Sequence, residues 1–246
     1  MKKLMIANWK MNNVALDCVK FFEEFMPKYT QKTHAWVAPQ AIHFSLVRHL
    51  GESKQVLAGI QNCSDHVSGA FTGETSPRSF KALGGSFVIT GHSERRQYFA
   101  ETSRSLNAKN RTVLSEGLIA VYCVNETLAE REANQTLSIV ADQLHQGLND
   151  LSMATECNLI VAYEPVWAIG TGKTATPAQA QEVHAFIRQT LKEKFPAFGD
   201  RVRILYGGSV KPDNVDELMK QKDIDGGLVG GASLKAKDFL ALCGDK

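Results

Sequence analysis

Apolar and polar positions fall into alternating blocks along this chain. Short, nearly unbroken apolar runs lie near 4–9, 35–39, 56–61, 86–91, 118–124, 158–163, 203–206 and 226–229. Runs that are apolar at consecutive positions predict strands buried on both faces. Between them, residues 14–26 put Cys18, Phe21, Phe22, Phe25 and Met26 on one helical face, and 178–195 do the same with Val183, Phe186, Ile187 and Leu191. Ser76-Pro77 and Thr176-Pro177 each read as an N-cap followed by proline at the first helical position, and Gln179 completes a capping box. Strands alternating with helices, without successive hairpins, predict βαβ units and a parallel sheet. About eight such units within 246 residues predict an α/β closed barrel. No Pro/Ser-rich linker or charge block divides the chain, so residues 1–246 are expected to form a single domain.

One unit carries the most information. The run from Asn158 ends on Glu164, and Pro165 follows at once. Proline cannot donate to a ladder, so the strand is expected to stop with Glu164 at its C-terminal tip. The next stretch has an apolar centre, Val166 to Ile169, and glycines at 170 and 172. An apolar, Gly-hinged loop beside a lone acid predicts a lid that closes over chemistry and excludes water.

Composition narrows the classes. With 28 basic and 26 acidic residues interspersed, the net charge of +2 gives no case for nucleic acid or a membrane surface. No stretch approaches the roughly 20 apolar residues of a membrane span. The opening Met1-Lys2-Lys3 is followed by too short an apolar run for a signal-peptide core. The five cysteines are far apart and have no Cys-x-x-Cys spacing, so they read as reduced thiols of a cytoplasmic protein, neither a disulfide framework nor a metal site. The sequons at Asn62, Asn110, Asn125 and Asn134 are then incidental.

In a barrel of this kind, chemistry sits at the C-terminal ends of the strands. Those ends carry Asn8 and Lys10, then His92 and Glu94, then Cys123 to Glu126, then Glu164, and finally two Gly-rich turns, Gly207-Gly208-Ser209 and Gly230-Gly231. The turns expose backbone N–H groups that can cradle a phosphate. Each residue alone has an ordinary reading: Glu164 and Lys10 as surface charges, His92 as a hydrogen-bonded histidine, Glu94 as a first-turn acid, Cys123 as a buried small hydrophobe. The case rests on an acid, an imidazole, a cation and two anion nests meeting at one rim. Gly172-Lys173-Thr174 lacks the upstream glycine of a P-loop, no Gly-x-Gly-x-x-Gly follows the first strand, and His92-Ser93-Glu94 lacks metalloprotease spacing.

These residues closely resemble the triosephosphate isomerase family. The blocks are Asn8 to Asn12, Gly69 to Glu74, Gly91 to Arg96, Ala162 to Gly172, Tyr206 to Val210 and Val229 to Leu234, in order over essentially the whole chain. The resemblance implies a (β/α)8 TIM barrel, no metal, no organic cofactor, and a homodimer. It implies interconversion of dihydroxyacetone phosphate and D-glyceraldehyde 3-phosphate, in glycolysis and gluconeogenesis. Carried over residue by residue, Glu164 would be the general base, and His92 would hydrogen-bond the enediolate as a neutral imidazole beside the helix opening at Ser93-Glu94. Lys10 would supply fixed positive charge, Asn8 a polar contact, and Glu94 would hold Lys10. Gly170, Ser209, Gly230 and Gly231 would bind the phosphate, and Thr72 with Phe71 would form the loop that docks on a partner subunit. Ala7 and Asn125 stand where the family often has glycine, and residues 63–68 carry no readable pattern. Two rival readings are an inactive phosphate-binding barrel used as a sensing or interaction module, and a phosphosugar aldolase using Lys10 as Schiff base.

Overall fold

The computed structural model describes residues 1–169 and 174–245. Eight strands run β1 Leu4–Asn8, β2 His34–Ala38, β3 Leu57–Ile60, β4 Phe87–Thr90, β5 Ile119–Glu126, β6 Leu159–Pro165, β7 Arg203–Tyr206 and β8 Gly226–Val229. They pair in sequence order, all parallel, and β8 closes on β1 with Leu4 opposite Gly226. At that seam a Cβ on Gly226 would lie 1.8 Å from the Leu4 carbonyl oxygen, so only glycine lets the two backbones meet. The strands are joined by α1 Ala15–Lys28, α2 Phe44–Gly51, α3 Pro77–Ala82, α4 Ser93–Phe99, α5 Ser103–Ser115, α6 Leu128–Glu132, α7 Thr136–Gly147, α8 Pro177–Lys194 and α9 Val215–Met219, and α10 Ala236–Leu242 follows β8. The fold is a (β/α)8 TIM barrel. No helix among the described residues is long and apolar enough to cross a membrane.

The unbroken apolar runs follow from burial on both strand faces. On β1, Leu4 and Ile6 join an inner cluster with Ile89, Val121, Ile160, Leu205 and Leu228, while Met5 and Ala7 face the helices. The outer layer is aromatic around α1: Phe21 stacks on Phe25 with ring centroids 5.4 Å apart, and Trp9 meets Phe21 edge-on at 5.0 Å. Each such ring, fully buried, contributes about 1.5–3 kcal/mol.

Both expected N-caps form. Ser76 Oγ accepts from the Ser79 N–H at 3.2 Å, and Thr176 exchanges bonds with Gln179 at 3.2 and 3.0 Å. One boundary is corrected. β6 does not stop at Glu164 but includes Pro165, which sits opposite Glu126 because β5 also runs further than the apolar run suggested. Proline removes one donor only, which a strand end tolerates.

Candidate active site

Lys10 follows β1 in a left-handed backbone conformation, φ 52°, which costs a residue other than glycine energy that its surroundings must offset. Three bonds hold it there. Its N–H donates to Asn8 Oδ1 at 3.1 Å, its carbonyl accepts from Gln61 Nε2 at 2.8 Å, and the same Gln61 amide reaches the Ala38 carbonyl at 2.8 Å. The Lys10 ammonium then pairs with Glu94 Oε1 at 2.6 Å.

His92 follows β4 through Gly91 and forms the N-cap of α4. Gly91 has φ 71°, and a Cβ there would lie 2.7 Å from Leu106 Cδ1, so the turn is reserved for glycine. His92 Nδ1 accepts the Glu94 N–H at 3.2 Å, which leaves the ring hydrogen on Nε2; the tautomer follows from this network. Nε2 points at Glu164 Oε1, 2.9 Å away. Burial disfavours the charged ring, but the Glu164 and Glu94 carboxylates outweigh it and lift His92 above its ordinary value in this arrangement. The bond to Nδ1 opposes that lift, because a proton there would face another donor.

Glu164 is almost wholly buried at the tip of β6, with 1% exposure. Its second oxygen, Oε2, accepts the Ser93 N–H at 2.9 Å. The first turn of α4 therefore holds both chemical groups, His92 through Glu94 N–H and Glu164 through Ser93 N–H. Cys123 lies beneath as a neutral thiol: burial and then the Glu164 carboxylate push its pKa far up. This agrees with its reading as a small buried hydrophobe.

The two glycine turns close the other side. A Cβ on Gly207 would lie 2.7 Å from Glu164 Cγ, and one on Gly208 would lie 2.2 Å from the Tyr206 hydroxyl. Ser209, Gly230 and Gly231 line the same cavity of about 370 Å³ as Asn8, Lys10, His92 and Glu164. Of the residues expected at the site, Glu94 stands behind Lys10, and Gly170 lies outside the described residues. Asn12, from the first family block, and Ile169, from the expected lid, also line the cavity, as do Lys211 and Leu228, which were not singled out from sequence as site residues. Lys211, two residues past the glycine turn, could have been; the Ser93 N–H, a backbone group, has no sequence signal.

The start of the expected lid is anchored. Trp167 Nε1 and the Tyr163 hydroxyl both donate to Glu126 Oε1 at 2.9 Å, and Arg131 lies 5.0 Å over the Trp167 ring. Residues 63–68 also acquire a meaning. His66 accompanies Asp65 at 2.8 Å and stacks on Phe71 at 4.0 Å, so the loop bearing Phe71 and Thr72 packs against this stretch.

A parallel barrel whose strand tips converge on one pocket defines a (β/α)8 barrel protein with a single polar site at its C-terminal mouth. The family model for triosephosphate isomerase matches residues 3–246. The chain is 46% identical over 249 residues to triosephosphate isomerase of Leptospira interrogans serogroup Icterohaemorrhagiae serovar copenhageni, covering 98% of this chain and 100% of that one. It is also 46% identical over 243 residues to the enzyme of Endomicrobium trichonymphae, covering 98% and 97%. The crystal structure of triosephosphate isomerase from Bartonella henselae superposes with a TM-score of 0.90 at 38% identity, over 99% and 98% of the two chains. The chain belongs to the triosephosphate isomerase family.

Proposed function

We infer that this protein interconverts dihydroxyacetone phosphate and D-glyceraldehyde 3-phosphate through an enediolate. The observation that carries the roles below is the single cavity shared by Asn8, Lys10, His92, Glu164, Ser209, Gly230 and Gly231. Glu164 acts as general base: its carboxylate takes the proton from the carbon beside the carbonyl and returns it to the neighbouring carbon, so no net proton is consumed. To reach that carbon it must leave both Ser93 N–H and His92 Nε2. His92 then turns its Nε2–H to the developing oxyanion and passes protons between the two substrate oxygens. With Glu164 gone from its side, the main upward influence on His92 is lost, while the helix N–H on Nδ1 stays and favours the neutral ring. This family is itself the standard worked example of that helix effect.

Lys10 supplies positive charge against the oxyanion and phosphate, Asn8 adds a polar contact, and Glu94 positions Lys10. Backbone N–H groups at Ser209, Gly230 and Gly231, joined by Gly170, take the phosphate. The Lys10 ammonium is held in an ion pair at 2.6 Å, whereas a Schiff-base aldolase needs a free amine in its place. An intact set of acid, imidazole and cation in one cavity also disfavours an inactive barrel.

The chain works as one catalytic domain, in the cytoplasm, and as a homodimer. Supporting the dimer, Met11, Ile42, Phe71, Tyr98 and Phe99 are exposed and all follow β1 to β4, on one side of the barrel. Supporting the location, the cysteines are free and unpaired. A coupled assay for glyceraldehyde 3-phosphate formation by the purified protein tests the activity; failure to turn over either triose phosphate would refute it.

A further inference from the structure

The opposite mouth of the barrel, at the N-terminal ends of the strands, holds a second cavity of about 550 Å³, within the size range of small-molecule sites. Its floor is apolar: Trp36 from β2, Leu57 from β3, Ile119 from β5 and Ile160 from β6. Phe87 stacks under Trp36 with centroids 5.0 Å apart and planes at 28°, yet Trp36 remains partly exposed. A partly exposed tryptophan lining this cavity presents apolar aromatic surface to whatever occupies it.

The rim is cationic. Arg201 is answered by Glu156 at 3.0 Å and Asp200 at 3.6 Å. Arg203 is different. It is half-buried and donates to the Lys2 carbonyl at 2.7 Å, but no carboxylate among the described residues forms an ion pair with it. Burial pushes its pKa down, and the one acid that acts against this, Asp225, is already bonded to Arg188 at 2.6 Å. His34 beside it is likewise pushed down, by burial and then by Arg203 and Lys2. A partly desolvated guanidinium and a partly exposed indole lining one cavity suit a ligand with a planar anion for the fork and an apolar plate for the ring.

We propose that this N-terminal mouth is a binding site for a flat aromatic carboxylate, with the ring on Trp36 and the carboxylate on Arg203. Substrate-like phosphosugars do not fit it, because their hydroxyls would lie unpaired on Leu57, Ile119 and Ile160. The site is separate from the catalytic cavity, which opens at the other end of the same strands.

Cys157 supplies a local reporter. It lines this mouth and is exposed, whereas Cys18, Cys63, Cys123 and Cys243 are buried. The experiment follows alkylation of Cys157 by iodoacetamide in the intact protein by mass spectrometry, with 1-naphthoate as probe. Saturable slowing by 1-naphthoate is expected, with little slowing by the neutral 1-naphthylmethanol and no competition from 2-phosphoglycolate. Arg203→Gln should weaken protection by about tenfold or more, equivalent to about 1.4 kcal/mol, with isomerase turnover unchanged; Arg203→Lys should retain part of it. No slowing up to the solubility limit, equal slowing by the alcohol, or loss of protection on adding 2-phosphoglycolate would each overturn the proposal. The acid-against-alcohol comparison uses the wild-type chain, so a variant that fails to fold does not rescue the idea.

Discussion

The Ser93 N–H donates to Glu164 Oε2 at 2.9 Å, while His92 Nε2 stands 2.9 Å from Oε1 of the same carboxylate. Both oxygens of Glu164 are thus engaged by residues at the start of α4. In the proposed reaction, Glu164 reaches a substrate carbon only by leaving these two hydrogen bonds. The position of the carboxylate, more than its presence, is therefore what the fold controls.

Shortening that side chain should be costly in one specific way. Glu164→Asp should lower kcat by about 10²-fold or more, because an acid misplaced by about 1 Å loses attack geometry. KM should change little, since the phosphate contacts remain. Steady-state kinetics with both triose phosphates checks this; wild-type kcat would remove Glu164 as the base.

Lys10→Met should abolish substrate binding and turnover while leaving the fold in place. The Lys10–Glu94 pair is partly exposed, so its loss costs at most about 1 kcal/mol of stability. Circular dichroism and thermal melting alongside kinetics test both halves, and near-normal kinetics would exclude Lys10 from the site.

A buried histidine away from the chemistry should govern acid stability. His184 is fully buried between Tyr163 and Tyr206, and burial lowers its pKa from 6.5 to about 4. The folded protein therefore binds this proton less readily than the unfolded chain. Its contribution is fully present above pH 6.5 and is lost as pH falls toward about 4, reaching about 3 kcal/mol for a shift of this size. Urea unfolding at a series of pH values should show this slope in the wild type and a flatter one in His184→Phe; identical slopes would assign the acid sensitivity elsewhere.

Assembly is testable through the loop that follows β3. Phe71 is 43% exposed and stacked on His66, and Met11 and Ile42 nearby in the order of strands are exposed at 86% and 82%. Light scattering should give a dimer, and Phe71→Asp should shift it toward monomer with reduced activity. A fully active wild-type monomer at assay concentration would contradict the proposed homodimer.

Much of this was legible in the sequence for a simple reason. Strands buried on both faces must be apolar at consecutive positions, so all eight runs stood out and fell within a few residues of the observed strands. The polar residues at the ends of those runs, Asn8, His92 and Glu164, then pointed to the strand ends that line one cavity. The end of β6 was less legible, because a proline's missing N–H forbids only bonds that the ladder requires, and Pro165 ends a strand where none is needed. Residues 63–68 gave no periodic signal since their order comes from a ring stack and turn bonds rather than a regular element.

The sequence alone determined the number and spacing of the βα units and the side chains available at their tips, because periodicity and turn chemistry act over a few residues. The tertiary structure alone decided that Ser93 holds Glu164 across 71 positions and that Glu94 meets Lys10 across 84. It also decided which nitrogen of His92 faces Glu164, and that Arg203 and Trp36 line one cavity at the far mouth. Such encounters are fixed by closing the sheet on itself, which brings distant strand ends within hydrogen-bonding reach.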